Sequence, residues 1–324
     1  MKPIFLLLGI AVILALLTLL ITYLCFRIVF YAPRKQEPTN DIIPLPEGEI
    51  YEPYHPLMKK WILEARSFPQ EDHYITSHDG LKLHAKYFEY APGAVTEIMF
   101  HGYRGSAERD LSGGIQRCFA LGRNVLLVDQ RTSCGSEGSV ISFGINEHRD
   151  CLAWIDYAVK TFGPDVKLVL TGISMGASTV LMAAGKSLPP NVVGVLADCG
   201  FSSPEKIIKK CAKDMHYPVK LIYPFIKLAA KVFGHFDLEE YSPLEAMKTC
   251  NLPILFFHGE NDDYVPCDMS REVYEACTSP KKLVTVPGAD HGLVYLVDNQ
   301  KYFQSVVEFF SEHGVETKLV KKLF

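Results

Sequence analysis

The sequence predicts an α/β fold: a mostly parallel central sheet flanked by helices, with a small helical cap and an N-terminal transmembrane helix ahead of it. Three observations predict it. Short, near-continuous apolar runs alternate with amphipathic stretches through most of the chain; one connection, after Asp198, is more than fifty residues long; and no charge occurs from Pro3 to Leu24. A chain of 324 residues with 48% hydrophobic and 22% charged residues is long enough for a large buried core. Its formal net charge of −4 argues against a nucleic-acid surface. The 9 cysteines are odd in number and scattered without metal-ligand spacing, which favours a reducing compartment over a disulfide framework and predicts no metal site.

Taken in order, the run PIFLLLGIAVILALLTLLITYL can cross a bilayer as a helix. It exceeds the apolar stretch of a cleavable signal peptide and lacks a small-residue exit, so residues 1–30 are predicted to be an uncleaved anchor with membrane lipid around it. Lys2 precedes the span, while Arg27, Arg34 and Lys35 come after it. The positive-inside rule leans toward a cytoplasmic catalytic domain, short N-terminal anchors often translocate the domain behind them, and the side of the membrane stays open. Residues 31–56, rich in proline and acidic side chains, predict a linker lifting the rest off the membrane.

The main domain is expected over 57–316, with a tail at 317–324. A short helix (PLMKKWILEARS) precedes two strand-like runs, His73 to Ser77 and Leu81 to Glu89, joined at Asp79-Gly80, a favourable hairpin turn. Six further runs come next, ending at Phe100, Asp129, Gly172, Asp198, Gly259 and Gly288. Their continuous apolar character suits a parallel sheet covered on both faces, whose chemistry gathers at the carboxyl ends of the strands. The long connection holds two helical stretches, PEKIIKKCAKDM and PVKLIYPFIKLAAKVF. The second is apolar nearly all round, which predicts a cap over about 201–240 supplying an acyl pocket, or else an ordinary sheet-packing helix.

Gly172-Ile173-Ser174-Met175-Gly176 lies between a buried strand and a good helix. A serine on such an elbow, flanked by Gly172 and Gly176, stands at a helix N-terminus where negative charge is stabilised. Its hydroxyl needs a base, and His291 is the histidine that comes just after the last strand of the pattern. The imidazole needs an orienting carboxylate; Asp262, after the preceding strand, is the candidate, with Asp263, Asp198 and Glu260 as rivals and Asp290 as a loop charge. An oxyanion hole is expected from the N–H groups of Met175 and Tyr103, with His101 bracing the latter's loop.

FHGYRG, VDQRTSCGSEG, GISMGAS, HGENDDYVP and GADHG, in that order, resemble the α/β-hydrolase superfamily over roughly Tyr74 to Phe310. The chain is most similar there to bacterial membrane-anchored hydrolases with serine aminopeptidase-like and prolyl-oligopeptidase-like domains. Where that family carries an Asp-x-Arg-Gly-His-Gly-x-Ser turn, this chain has Ser133 and Cys134 in place of a histidine and a glycine. Asp129 and Arg131 are expected to be structural, as an ion pair between loops. The resemblance and the residues together imply a cofactor-independent serine hydrolase, first a carboxylesterase on esters with an apolar acyl chain. A peptidase, amidase or acyltransferase would use the same triad, with Glu239-Glu240 as a grip for a substrate amine. A non-catalytic membrane-bound binding protein is the reading of another class.

Overall fold

A computed structural model describes residues 2–34, 41–315, 317 and 320; Lys35, part of the expected linker and most of the expected tail lie outside the described residues. The N-terminal run forms α1 (Lys2–Val29), whose Ile4–Val29 stretch, at a mean hydropathy of 3.2, is long and apolar enough to cross a membrane. Helix α2 (His55–Ser67) leads into β1 (Glu71–Thr76) and β2 (Lys82–Phe88), which pair antiparallel as the hairpin pattern predicts. Gly80 turns the hairpin at φ 88°, a conformation that favours glycine.

Strand and helix then alternate: β3 (Thr96–Phe100), α3 (Ala107–Ala120), β4 (Asn124–Asp129), α4 (Glu147–Phe162), β5 (Leu168–Ile173), α5 (Met175–Ala184) and β6 (Val192–Asp198). After the long connection, with α6 (Pro204–Asp214), α7 (Val219–Val232) and α8 (Pro243–Ala246), come β7 (Ile254–Gly259), α9 (Cys267–Ala276), β8 (Lys281–Val286), α10 (Val294–Val297) and α11 (Asn299–Glu312). The eight strands lie in the order β1-β2-β4-β3-β5-β6-β7-β8; β2 runs antiparallel to both neighbours and the rest are parallel. Every residue of β3, β4 and β7 is buried, as expected of strands covered on both faces. The carboxyl ends of β3, β5, β6, β7 and β8 share one edge, so the loops leaving them meet.

The cap is present, and its second helix does not pack as an ordinary sheet helix. Helix α7 lies on α1 and α6. Phe233, at its end, meets Tyr23 and Phe26 of α1 with ring centroids 5.4 and 5.6 Å apart. Phe30, fully buried, sits edge-on between Phe143 and Phe236.

Two expectations need correcting. The linker does not stand the body away from α1: Tyr31 bridges Val140, the Ala32 N–H donates to the Ser139 carbonyl at 2.9 Å, and Leu45 to Tyr51 lie over the serine elbow. A Pro-rich stretch without periodicity signals irregular backbone, and irregular backbone packs when its apolar side chains find a groove. Nor do Asp129 and Arg131 pair with each other. Arg131 makes a bidentate pair with Asp150, both at 2.7 Å, and reaches Asp79 at 2.9 Å, while Asp129 accepts from His84 at 2.8 Å. In the departing turn, Thr132 and Cys134 adopt φ 73° and 42°. The left-handed shape suited to glycine is therefore kept by L-residues, at a cost of about 1 kcal/mol each.

Candidate active site

Ser174 joins β5 to α5 with φ 55° and ψ −121°, a strained elbow that aims Oγ outward from the sheet edge. Its neighbours are glycines because nothing larger fits. A Cβ on Gly172 would stand 2.2 Å from the Gly176 carbonyl oxygen, and one on Gly176 would stand 2.0 Å from that of Phe100. The Ser174 N–H donates to the Asp198 carbonyl at 2.8 Å, tying the elbow to β6.

The three residue types singled out for nucleophile, base and acid come together. His291 Nε2 lies 2.9 Å from Ser174 Oγ, and Nδ1 lies 2.7 Å from Asp262 Oδ2. Asp262 is buried, and its other oxygen accepts the N–H groups of Tyr264 and Val265 at 3.0 and 2.7 Å. His258 Nε2 donates to the Val265 carbonyl at 2.8 Å and stands 3.2 Å from Asp262 Oδ2. Burial alone would raise the Asp262 carboxyl, but the His258 and His291 hydrogen bonds outweigh it and hold the pKa at about 2. Asp198, the rival on the adjacent strand, differs. Burial pushes it up to about 6, and its Oδ1 finds no partner among the described residues. Asp263 and Asp290 line the cavity beside Ser174, whereas Glu260 accepts from Thr285 at 2.7 Å.

The loop after β3 lies against the serine: a Cβ on Gly102 would be 3.7 Å from Ser174 Oγ. His101 braces this loop. Its Nε2 accepts from the Gln130 N–H at 3.1 Å, which leaves Nδ1 to donate to the Gly102 carbonyl at 2.8 Å. The Gly102 N–H is taken by Asp110 at 3.0 Å, so it is not free for an oxyanion; Met175 opens α5 directly after Ser174, and Tyr103 lines the cavity beside it. Cys199, Asp262 and His291 offer donor atoms within 4.8 Å of one another. Burial drives the Cys199 thiol well above its usual value, and the other two are engaged with each other, so the trio suits hydrogen bonding better than a cation.

Two cavities meet at Ser174. The first, about 820 Å3, is lined by charged groups including Arg109, Asp110, Lys210 and Asp263. The second, about 450 Å3, is almost wholly apolar, with Phe201, Ile207, Ile208 and Met215 of the cap region facing Leu24 and Cys25 of α1. Tyr103 and Tyr264 border both. The acidic pair Glu239-Glu240 borders neither. Glu239 accepts from Tyr223 and pairs with Lys227, and Glu240 pairs with Arg149.

Sequence reasoning missed several contributors. Tyr51 donates to the His291 carbonyl at 3.1 Å, and the Tyr264 ring stands edge-on to the imidazole at 5.1 Å. His258 and Asp110 support Asp262 and the loop after β3. The HGENDDYVP motif carries His258 and Tyr264 in plain view, but Tyr51 and Asp110 have no local signal.

The model of the prolyl oligopeptidase family matches residues 142–316. The Bacillus subtilis protein YqkD is 28% identical over 199 residues, 61% of this chain and 65% of its own length, so the chain spans somewhat under two thirds of that relative. The Schizosaccharomyces pombe protein bem46 is 26% identical over 68% of this chain and 69% of its own. Among solved structures, a Pyrococcus furiosus esterase superposes with a TM-score of 0.65 at 20% identity, covering 87% of this chain and 98% of that one. The Pyrococcus horikoshii acylaminoacyl peptidase gives 0.55 at 18%, covering 81% of this chain and 44% of that one. The sheet and these matches give the chain an α/β-hydrolase fold, and it belongs to the prolyl oligopeptidase family.

Proposed function

We propose that the protein is a membrane-anchored serine carboxylesterase acting on esters with an apolar acyl chain. The observation that carries this is the relay Ser174–His291–Asp262, with contacts of 2.9 and 2.7 Å, standing where an apolar and a polar cavity meet. Ser174 Oγ attacks the ester carbonyl while His291 Nε2 takes its proton, and Asp262 stabilises the imidazolium. The Met175 and Tyr103 N–H groups receive the oxyanion. The carbonyl then re-forms, the C–O bond to the alcohol breaks, and His291 returns the proton to the leaving oxygen. Water, deprotonated by His291, releases the acid from Ser174 by the same steps in reverse.

The acyl side is assigned to the apolar cavity because a chain buried there leaves no polar group unpaired, while the alcohol faces charged, wet walls. Support for the anchor comes from Phe26 and Phe30, which are buried against the body and would be lost with a cleaved leader. The esterase and peptidase among the similar structures share the first half-reaction, so the scissile bond is decided by substrate. Acid-quenched full-length protein incubated with p-nitrophenyl octanoate should carry one octanoyl group, on the Ser174 peptide, and should cleave esters in preference to matched arylamides. Faster cleavage of the arylamides would make it an amidase; an unacylated Ser174 with turnover intact would dismiss the mechanism.

A further inference from the structure

We propose that α1 forms one wall of the acyl site and that the apolar cavity opens into the bilayer, so that the ester enters laterally from the membrane. This rests on the serine-hydrolase reading above and names its substrate class: a bilayer-resident acyl ester, with its chain between α1 and the cap, its carbonyl at Ser174, and its alcohol part in the polar cavity.

Four observations lead there. First, the cavity that reaches Ser174 is lined from α1 by Leu24, Cys25 and Ile28, so the apolar helix contributes to the site itself. Second, the end of α1 is held by the loop beside the serine. Tyr103 Oη donates to the Val29 carbonyl at 2.7 Å, and Arg104 donates to the carbonyls of Ile28 and Tyr31, both at 2.9 Å. The Ile28 and Val29 carbonyls are orphan acceptors at the C-terminus of α1, and satisfying them, with Tyr31 just beyond, locks helix and loop into one unit. Third, depth agrees. A hydrocarbon core of about 30 Å takes about 20 helical residues at 1.5 Å each. Counted from Ile4, that reaches the turn carrying Leu24, which puts the cavity mouth at the edge of the acyl region.

Fourth, the cap presents an apolar stripe alongside. Leu221, Leu228 and Val232 of α7 fall on one helical face and are exposed by 69%, 40% and 44%, with Met215 exposed just before the helix. Lys220, Lys227 and Lys231 border that stripe on the same helix. A helix with an exposed apolar face and flanking lysines lies stably in the plane of a membrane interface, its lysine stems reaching up to the headgroups. In water the same stripe would be a standing liability. Its continuity with α1 makes the bilayer its occupant.

The test uses the full chain in phospholipid vesicles with p-nitrophenyl acetate and p-nitrophenyl decanoate. Wild type should favour the decanoate, and its rate should follow the mole fraction of decanoate in the bilayer at fixed bulk concentration. Cys25→Trp, which fills the cavity from the α1 side, should lower the decanoate-to-acetate ratio of kcat/KM at least tenfold. Leu16→Trp, on the exposed part of α1 away from the cavity, should keep the wild-type ratio. A ratio unmoved by Cys25→Trp, or a rate that follows bulk concentration at any surface dilution, overturns the proposal. Fluorophosphonate labelling of Ser174 in the same vesicles separates the two readings: labelling with either of those results removes lateral entry alone, and absence of labelling in wild type removes the serine-hydrolase reading beneath it.

Discussion

On one side of Ser174 the walls are Arg109, Asp110, Lys210 and Asp263; on the other they are Ile207, Ile208, Phe201 and the last turns of α1. The polar walls come from loops after the strands, the first turn of α3, the segment ahead of α2 and, through Lys210, α6 of the cap. The apolar walls come from the cap and from the apolar N-terminal helix, elements added to the sheet rather than grown from it. The contrast teaches a division of labour. On the proposed reading, the sheet edge supplies the reacting groups and a wet exit for the alcohol, while the added elements supply affinity for the acyl chain. Tyr103 and Tyr264 stand at the boundary and touch both.

The sharpest way to break this comparison is to remove what both sides share. Ser174→Ala should lower ester hydrolysis about 10^4-fold or more for short and long chains alike, with the fold intact. Next in size, Asp262→Asn should cost about 10^3- to 10^4-fold in kcat, because the imidazole loses its tautomer and its counter-charge. Asp198→Asn should stay within a few-fold in kcat, since that carboxyl touches neither Ser174 nor His291 through a hydrogen bond. Equal losses in these two variants would show that the choice between adjacent strands was misjudged.

A smaller effect separates the cavities themselves. Ile208→Trp narrows the apolar one, and excluding two methylenes at about 0.8 kcal/mol each should lower the decanoate-to-acetate ratio of kcat/KM about tenfold. A change of Asp263 to Asn on the polar side should leave that ratio alone.

Asp198 also carries a stability prediction. Its folded pKa of about 6 lies above the unfolded value of 3.8, so the acid form is favoured by folding. That contribution is complete below pH 3.8 and is lost as pH rises through 6, by an amount on the order of 3 kcal/mol. Asp198→Asn should therefore raise the melting temperature relative to wild type at pH 8 and change it less at pH 4.5. Asp262 has the opposite sign: its folded pKa of about 2 stabilises the protein above pH 3.8, and that support fades as pH falls toward 2. Smallest of all, Tyr51→Phe removes one hydrogen bond to the His291 carbonyl and should slow turnover only several-fold.

Much of the sheet was legible because each parallel strand is a short apolar run and each is followed by a helical stretch. The positions of Ser174, Asp262 and His291 were legible for the same reason, since each comes just after the carboxyl end of a strand at one edge. The illegible part came from distant segments. A proline-rich stretch gives no period from which packing is read, so Tyr51 looked like linker although its hydroxyl reaches His291. Arg131 looked like a partner for Asp129 because they are close in sequence, but a guanidinium on a loop takes whatever carboxylate the fold brings to it, here Asp150 and Asp79. Helix α1 read as an anchor from its composition, which says nothing about a wall it makes in the cavity beside Ser174.

The central claim is that Ser174 is an activated nucleophile, and covalent labelling reads it most directly. Full-length wild type in vesicles, treated with a fluorophosphonate probe near neutral pH, should be labelled at the Ser174 peptide, with labelling lost in Ser174→Ala and strongly slowed in Asp262→Asn. Folded wild type that resists the probe, or Ser174→Ala labelled as fast as wild type, would contradict the account.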